Sequence, residues 1–199
     1  MMRIDLLRHG ETETPGRLLG RTDPALSEKG WAQFARQTDG RQWGAIVTSP
    51  RLRARAAAER LAGASETPLR VDDDWAEVDF GAWDGRTLDE LRADAATADS
   101  LAALYSSPDA PSAPRGESWK TLTARVSRAI DRLLAGTADD GVLVVTHAGP
   151  MRAALALACG MPFACLWAFK IDPGTRISLH AGRDETSGLW GEIVEVAQP

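Results

Sequence analysis

Two of the three histidines occupy matching positions in the sequence. His9 follows the mainly apolar residues 4–8 and precedes a glycine, and His147 follows the apolar run Val142–Thr146 and precedes a small residue and a glycine. Imidazole serves as a nucleophile or as a general acid or base near neutral pH. A single histidine in such a place is more often structural. Two in the same local pattern favour a catalytic or binding site, whereas His180 lies in an alternating stretch and is interpreted as structural or exposed.

Arginines stand beside the same positions. Arg8 directly precedes the first of these histidines, and Arg51, Arg53 and Arg55 follow the apolar run Ala45–Thr48. The planar guanidinium matches phosphate oxygens, and the N-terminus of a helix after that run would add attraction for an anion. These residues predict an anion site, although at least one of the three later arginines must be an ordinary solvated side chain. Their spacing does not choose among them.

The third candidate group is a carboxylate in residues 75–85, where Glu77, Asp79 and Asp84 lie among aromatic residues and glycines. Desolvation in such surroundings favours the protonated form of a carboxyl group and suits it to proton transfer near neutral pH. A solvent-exposed acidic loop would have much the same composition. The spacing alone leaves all three carboxylates open as the acid–base group.

Apolar runs without polar alternation must position these groups. Residues 4–7, Ala45–Thr48 and Val142–Thr146 are typical of strands buried on both faces, as in a parallel sheet. The carboxyl ends of parallel strands form one edge, and ligands of open α/β sheets bind there. Both His9 and His147 are therefore expected at the same ligand-binding edge.

Helical patterns separate these runs. Ser27 is a suitable N-cap for a helix ending near Thr38, Pro150 suits the first turn of a later helix, and Gly160 suits its end. Residues 118–134 place one apolar face at helical spacing, formed by Leu122, Val126, Ala129, Ile130 and Leu133. The alternation predicts an α/β fold, a three-layer α/β/α sandwich with a mainly parallel sheet, in a single domain over residues 1–199.

Two stretches differ in character. Residues 95–116 are rich in Ala, Ser, Asp and Pro and indicate a short helix followed by an irregular loop. That segment is either a cap over the sheet edge or a mobile surface loop without a role. From Trp167 to Val196, alternating apolar residues predict further strands, with a turn at residues 184–188.

Composition narrows the classes of partner and compartment. The net charge of −5 and the pI near 5.3 disfavour nucleic acid and anionic membrane surfaces as partners. The apolar stretch at the N-terminus is interrupted by charges and is too short for a signal peptide or a membrane span, so a cytoplasmic location is expected. Cys159 and Cys165 are too few for a disulfide framework and are interpreted as buried, reduced thiols.

The sequence Leu7-Arg8-His9-Gly10-Glu11-Thr12 resembles the signature of the histidine phosphatase superfamily, which includes the cofactor-dependent phosphoglycerate mutases. Further segments match the motifs of that family in order. They are residues 20–27, 49–54, 77–85, 116–118 and 144–149. The resemblance implies a phosphoglycerate mutase-like α/β fold.

Matched position by position, the resemblance implies that His9 attacks phosphorus and forms a phosphohistidine. Arg8, Arg53 and His147 would surround the transferring phosphoryl group, whose charge is spread over three oxygens. Glu77 would protonate the leaving alkoxide and then deprotonate the attacking water. No metal and no other cofactor is expected in this scheme.

The matched motifs add Arg21, Thr22 and Ala148 to the predicted substrate-binding residues. One position departs from the family: Pro15 stands where many members have an asparagine that helps to hold the phosphate. Proline has neither an amide side chain nor a backbone N–H. One phosphate contact is therefore expected to be missing or to come from elsewhere.

Hydrolysis is favoured over mutase activity. Mutases of the family are usually longer between the acid motif and the second histidine, and they have Trp-Asn where this chain has Thr14-Pro15. Residues 116–126 and 160–172 resemble the α-ribazole phosphatases of cobalamin assembly. The expected partner is a small-molecule phosphate ester, with α-ribazole 5′-phosphate as one candidate, and a homodimer is left open. A phosphoglycerate mutase and a non-catalytic phosphate-ester binding module are the alternatives, and retention of Glu77 with both histidines argues against the module.

Overall fold

The computed structural model describes residues 1–136, 140–186 and 188–199, and a six-stranded sheet forms its centre. In chain order the strands are β1 (Met2–Arg8), β2 (Ala45–Thr48), β3 (Leu69–Val71), β4 (Val142–Thr146), β5 (Arg176–Asp184) and β6 (Gly188–Ala197). Across the sheet their order is β3-β2-β4-β1-β5-β6.

Helices flank the sheet on both faces. They are α1 (Glu28–Thr38), α2 (Leu52–Ser65), α3 (Leu88–Ala93), α4 (Ala98–Ser106), α5 (Trp119–Leu134) and α6 (Ala148–Ala158). Short 3₁₀ helices occur at Asp73–Trp75, Gly81–Trp83 and Phe163–Ala168. The side chains of Ser27 and Ser118 accept backbone N–H bonds at the starts of α1 and α5, where serine is a favoured N-cap.

The sheet is mainly parallel, as predicted. Strands β3, β2, β4 and β1 pair in parallel, with Arg8 of β1 opposite Thr146 of β4. Strands β5 and β6 continue the sheet as an antiparallel hairpin beside β1. The sequence pattern missed β3, since three residues with Arg70 in the middle give no periodic signal.

Alternate residues of β1, β2 and β4 enter two separate cores. On one face Ile4, Leu6 and Val144 pack with residues of α5 and α6 such as Val126 and Leu155. On the other face Leu7, Leu143 and Val145 pack with residues of α1 and α2, including Phe34 and the alanines of α2. Burial on both faces explains why the sequences of these strands are nearly continuous apolar runs. The rigid strands then fix the positions of the residues that follow their carboxyl ends.

Residues 95–116 form a cap with a small core of its own. Helix α4 and the following loop pack with α3 and the 3₁₀ helix Gly81–Trp83, burying Trp83, Leu91, Leu101 and Ala113. The short helix and irregular loop expected from composition are both present. Of the two interpretations of this segment, the cap is the one that the structure supports.

One expectation from the sequence needs correction: the two cysteines are not both buried. Cys159 is half-buried at the end of α6, and Cys165 is exposed because the 3₁₀ helix Phe163–Ala168 buries Leu166 and turns its neighbour outward. The further strands predicted in the C-terminal region are confirmed as β5 and β6. The predicted turn at residues 184–188 lies between β5 and β6, and its residue 187 is outside the described residues.

In the described ranges no helix combines the length and apolarity needed to cross a membrane.

Candidate active site

The predicted catalytic residues meet at the carboxyl edge of the parallel strands. His9 directly follows β1, and His147 directly follows the neighbouring strand β4. The His9 backbone N–H donates to the Thr146 carbonyl oxygen at 3.0 Å, and the two imidazole rings lie edge to face with centroids 5.0 Å apart. Arg53 comes from the first turn of α2 after β2, and Glu77 follows the 3₁₀ helix after β3. Four adjacent strands thus deliver the four groups to one place.

The His9 ring is held in one orientation. Its Nδ1 lies 2.7 Å from the Gly10 carbonyl oxygen, which can only accept, so this nitrogen carries the proton. Its Nε2 therefore has the lone pair and accepts the Arg53 Nε–H at 3.2 Å. His9 is 5% exposed. The arrangement presents Nε2 as the nucleophilic nitrogen, beside a fixed cation.

Arg53 is a buried cation with a fixed guanidinium. Its Nη1 donates to Asp23 Oδ1 at 3.0 Å and to the Thr22 carbonyl oxygen at 3.1 Å, and its Nη2 donates to the Leu19 carbonyl oxygen. Asp23 also accepts the Leu52 N–H at 2.6 Å, which ties it to the start of α2. Because these contacts are all made to the protein itself, they hold the guanidinium in one orientation for an anion.

Buried donors without a protein acceptor surround His9. Among the described residues, Arg8 Nε and His147 Nδ1 are buried and have no hydrogen-bond partner, although Arg8 Nη1 donates to the Ile171 carbonyl oxygen at 2.7 Å. His147 Nε2 lies 2.7 Å from the Ser49 hydroxyl oxygen. When this hydroxyl donates its hydrogen bond to Nε2, the hydrogen of the His147 ring is on Nδ1. An unpaired buried donor is costly unless a ligand satisfies it, and anion oxygens would do so.

Glu77 reaches the same site from the loop that follows β3. Its Oε1 accepts the N–H of Val78 at 2.9 Å and the N–H of Gly149 at 3.1 Å. The side chain is half-buried and lines the same cavity as Arg8 and His9. The other two carboxylates have different partners: Asp84 binds residues 20–22, and Asp79 accepts the Gly81 N–H and pairs with Arg21. The structure thus brings Glu77, and neither aspartate, to the histidines.

Both histidines are neutral in the folded protein. Burial, reinforced by the charges of Arg8 and Arg53, holds the pKa of His9 well below its usual value. Burial also lowers the pKa of His147 well below its usual value, with Arg53 and His9 adding to the effect. A neutral imidazole retains the lone pair that nucleophilic attack requires.

These pKa values predict that thermal stability falls as the pH is lowered from about 7 to about 5. The unfolded chain has histidine pKa values near 6.5, so below that pH it binds protons that the folded chain does not. Stability is therefore complete above the unfolded pKa and is lost as the pH falls toward the folded one. Each histidine contributes at most about 1.4 kcal/mol per pH unit.

The melting temperature followed by circular dichroism across this pH range tests the linkage. His9→Gln should flatten part of the pH dependence, because the glutamine side chain does not titrate in this range. A wild-type melting temperature that stays constant or rises as the pH falls from 7 to 5 would contradict the assignment of neutral, buried histidines.

Gly149 leaves no room for a side chain beside Glu77. A Cβ atom there would lie 2.4 Å from Glu77 Oε1 and 2.7 Å from Val78 Cγ2, so Gly149→Ala must displace the carboxylate. We expect kcat for a phosphate ester to fall about 10²-fold, as a small misplacement of a catalytic group can cost that much. Gly63→Ala in α2 is the control, because a Cβ there meets nothing within 4 Å. Activity of Gly149→Ala within threefold of wild type would refute this expectation.

Arg21 and Thr22 do not reach the cavity lining, whereas Ala148 does. The backbone N–H groups of Gly20, Arg21 and Thr22 donate to the Asp84 carboxylate, and the Thr22 hydroxyl donates to it at 2.5 Å. The loop held in this way supplies the Thr22 carbonyl oxygen that binds Arg53. Direct substrate binding by Arg21 and Thr22 stays a prediction.

The cavity extends from Arg8, His9 and Glu77 beneath the cap and has a volume of about 650 Å³. Aromatic side chains line much of it, in edge-to-face pairs. Their centroid separations are 4.7 Å for Tyr105 and Trp167, 5.1 Å for Trp119 and Phe163, and 5.8 Å for Phe163 and Trp167. Pro15, at the position of the expected family asparagine, also lines the cavity. The site therefore joins a cationic, polar end to an apolar chamber.

Sequence reasoning missed Arg152, which also lines the cavity. Its guanidinium carbon lies 4.7 Å from the centre of the Trp167 ring, and its Nε is buried without a partner among the described residues. The available signal was an arginine on the otherwise apolar helix that follows His147. Arg152 adds a further cation to the cavity wall, over the ring of Trp167.

Known proteins resemble this chain in sequence and in fold. The model of the histidine phosphatase superfamily (branch 1) matches residues 4–190. A bifunctional protein of Mycobacterium tuberculosis is 37% identical over 177 residues, which are 85% of this chain and 48% of that protein, so the chain spans about half the length of that relative. The adenosylcobalamin/alpha-ribazole phosphatase of Salmonella typhimurium is 30% identical over 178 residues, covering 87% of each chain. The mycobacterial glucosyl-3-phosphoglycerate phosphatase in complex with VO3 superposes with a TM-score of 0.84 at 27% identity, covering 98% of each chain.

Proposed function

Because this chain belongs to the histidine phosphatase superfamily, branch 1, we propose that it hydrolyses small phosphate monoesters through a phosphohistidine on His9. One observation carries the proposal. His9 Nε2 lies free of any proton, 3.2 Å from the fixed Arg53 Nε, while Nδ1 is committed to the Gly10 carbonyl oxygen. This geometry supports His9 as the nucleophile and Arg53 as the cation that binds the phosphoryl group.

In the first displacement the His9 Nε2 lone pair forms a bond to phosphorus as the bond from phosphorus to the ester oxygen breaks. Arg8, Arg53 and His147 Nδ1–H donate to the phosphoryl oxygens, where the transition state spreads its charge. Protonated Glu77 gives its proton to the leaving oxygen, and the product alcohol departs.

In the second displacement Glu77, now ionised, removes a proton from a water molecule that attacks the phosphohistidine. The bond from phosphorus to Nε2 breaks, phosphate leaves, and Glu77 is protonated again for the next cycle. We propose that this chemistry needs no metal ion, since two guanidiniums and a histidine N–H supply the charge stabilisation that Mg²⁺ gives at other phosphoryl-transfer sites.

The apolar chamber supports a substrate whose leaving alcohol carries an aromatic ring system, and α-ribazole 5′-phosphate is the specific candidate. Trp119, Phe163 and Trp167 offer edges and faces against which a bicyclic ring can pack. A volume of about 650 Å³ is within the range of pockets for ligands of drug size. Similarity to the adenosylcobalamin/alpha-ribazole phosphatase of Salmonella typhimurium supports the same candidate.

Release of phosphate from p-nitrophenyl phosphate, with and without EDTA, tests the proposed activity. We expect turnover that EDTA leaves unchanged. Phosphate binding without turnover would replace the proposal by a non-catalytic binding module, and turnover abolished by EDTA would refute metal independence. In a coupled assay we expect no conversion of 3-phosphoglycerate to 2-phosphoglycerate, and robust conversion would establish a mutase instead.

A ranked screen of esters tests the substrate class. We expect kcat/KM to be higher for α-ribazole 5′-phosphate than for phosphoserine or 3-phosphoglycerate, since those acids offer nothing to pack against the aromatic wall. A ranking led by the small polar acids would reject α-ribazole 5′-phosphate while leaving the phosphatase chemistry intact.

A further inference from the structure

Arg125 of α5 has all five of its N–H groups engaged, and three of their acceptors belong to the backbone around Glu77. Nη1 donates to the carbonyl oxygens of Asp74 and Ala76, both at 2.7 Å, and Nη2 donates to the Glu77 carbonyl oxygen at 3.2 Å. The remaining bonds form a bidentate pair with Glu117, at 2.7 Å from Nε and 2.8 Å from Nη2.

Glu117 ties the other side of the same loop. Its backbone N–H donates to the Asp79 carbonyl oxygen at 2.7 Å, and its Oε2 accepts the Asp79 N–H at 3.4 Å. The side chains of Arg125 and Glu117 are 12% and 11% exposed, so solvent screens this ion pair little. Residues 74–79 are thus joined to the start of α5 on both sides of Glu77.

Arg125 differs in this respect from its neighbours on α5. Arg128 and Arg132 reach the same region, but they donate to the side-chain carboxylates of Asp72 and Asp74 from more exposed positions. Arg125 is absent from the cavity lining, so it does not contact a bound ester directly. Any effect of Arg125 on the reaction must therefore pass through the groups that it binds, which are the loop that carries Glu77 and the side chain of Glu117, itself part of the cavity lining.

We propose that Arg125, held by Glu117, is a positioning residue for proton transfer by Glu77. The proposal rests on the proposed function, because it assigns Glu77 the proton of the leaving oxygen. Proton transfer in the transition state requires the carboxyl group within hydrogen-bond reach of that oxygen. Three carbonyl bonds from one planar guanidinium fix the backbone at and before Glu77, and lysine cannot reproduce that fork.

Two esters of similar shape separate this role from a general structural one. p-Nitrophenolate leaves without a proton, whereas the alkoxide of benzyl phosphate needs one from Glu77. We expect Arg125→Met to lower kcat/KM for benzyl phosphate about 10²-fold, the lower end of what general acid catalysis contributes, and that for p-nitrophenyl phosphate less than about threefold. Arg128→Met, one turn along α5, is the matched control and should change neither value beyond about twofold.

The double variant Glu77→Gln with Arg125→Met supplies a second readout. If Arg125 acts through Glu77, adding its substitution to Glu77→Gln should lower kcat/KM for benzyl phosphate by less than about twofold, since residues that act as a unit are not additive. Arg125→Lys should show the same selective loss of kcat/KM for benzyl phosphate, with a smaller fold-change. It replaces Arg125→Met as the test variant if the methionine variant does not fold.

Equal loss with both esters, no loss with either, or full additivity in the double variant would overturn the role of Arg125 while leaving the phosphatase proposal intact. Wild-type protein that hydrolyses neither ester would overturn the proposed function and this inference together.

Discussion

Replacement of His9 by alanine is expected to lower kcat for p-nitrophenyl phosphate by a factor on the order of 10⁴ or more. The loss is expected to be this large because, in the proposed mechanism, His9 supplies the atom that bonds to phosphorus. His147 offers no equivalent lone pair when the Ser49 hydroxyl donates to its Nε2, since its ring hydrogen is then on Nδ1. Steady-state release of p-nitrophenol measures the effect.

His180→Ala is the matched control for this substitution, because it removes an imidazole from β5 outside the cavity lining. Its kcat should stay within about twofold of wild type, as expected for a site without contact to the reacting atoms. Circular dichroism checks that the His9 variant is folded. A folded His9→Ala protein with more than one-tenth of wild-type activity would remove His9 from the mechanism.

The second large effect is expected for Arg53→Met, with kcat/KM for p-nitrophenyl phosphate falling about 10³-fold. The guanidinium lies 3.2 Å from the attacking nitrogen and carries a charge in a buried site, where each interaction with the phosphoryl group is strong. Inhibition by inorganic phosphate should weaken in parallel, because the product dianion uses the same donors. Arg53→Lys should recover little, since an ammonium cannot bind Asp23, two carbonyl oxygens and a phosphoryl oxygen at once.

Arg55→Met is the matched control for Arg53, since it lies on the same helix and pairs with Glu59 at the surface. Its activity should match wild type, as exposed ion pairs contribute little. Removal of Arg53 also leaves Asp23 without its cation, so the melting temperature of each variant is measured alongside. An Arg53→Met protein that melts near the wild-type temperature and keeps its affinity for phosphate would exclude this residue from the anion site.

Much of the fold follows from the apolar pattern of the parallel strands. Strands β1, β2 and β4 are buried on both faces, so their sequences lack polar alternation and mark them clearly. The same argument places His9 and His147 at one edge. Strand β3 was missed, because three residues are too few to show a periodic pattern. It is identified as a strand only by its pairing with β2.

The residues that the structure brings together at the sheet edge were predictable because they follow directly on strands or match family motifs. Spacing alone could not separate Arg53 from Arg51 and Arg55; in the structure it is Arg53 that approaches His9 Nε2. The role of Arg125 had no local signal, and the only signal for Arg152 was its place on an otherwise apolar helix. The backbone acceptors of Arg125 lie up to 51 residues away in the chain, and Arg152 lies over the ring of Trp167. Both sets of contacts depend on how the helices pack around the sheet.

The most direct test of the mechanism is capture of the covalent intermediate. Protein mixed with a phosphate ester, quenched with alkali and digested should yield a phosphorylated peptide containing His9, with the phosphoryl group on Nε2, stable to base and labile to acid. The position on the ring matters, since Nδ1 is committed to the Gly10 carbonyl oxygen. A protein that turns over the ester without phosphorylation of His9, or with the phosphoryl group on any other residue, would contradict the central claim.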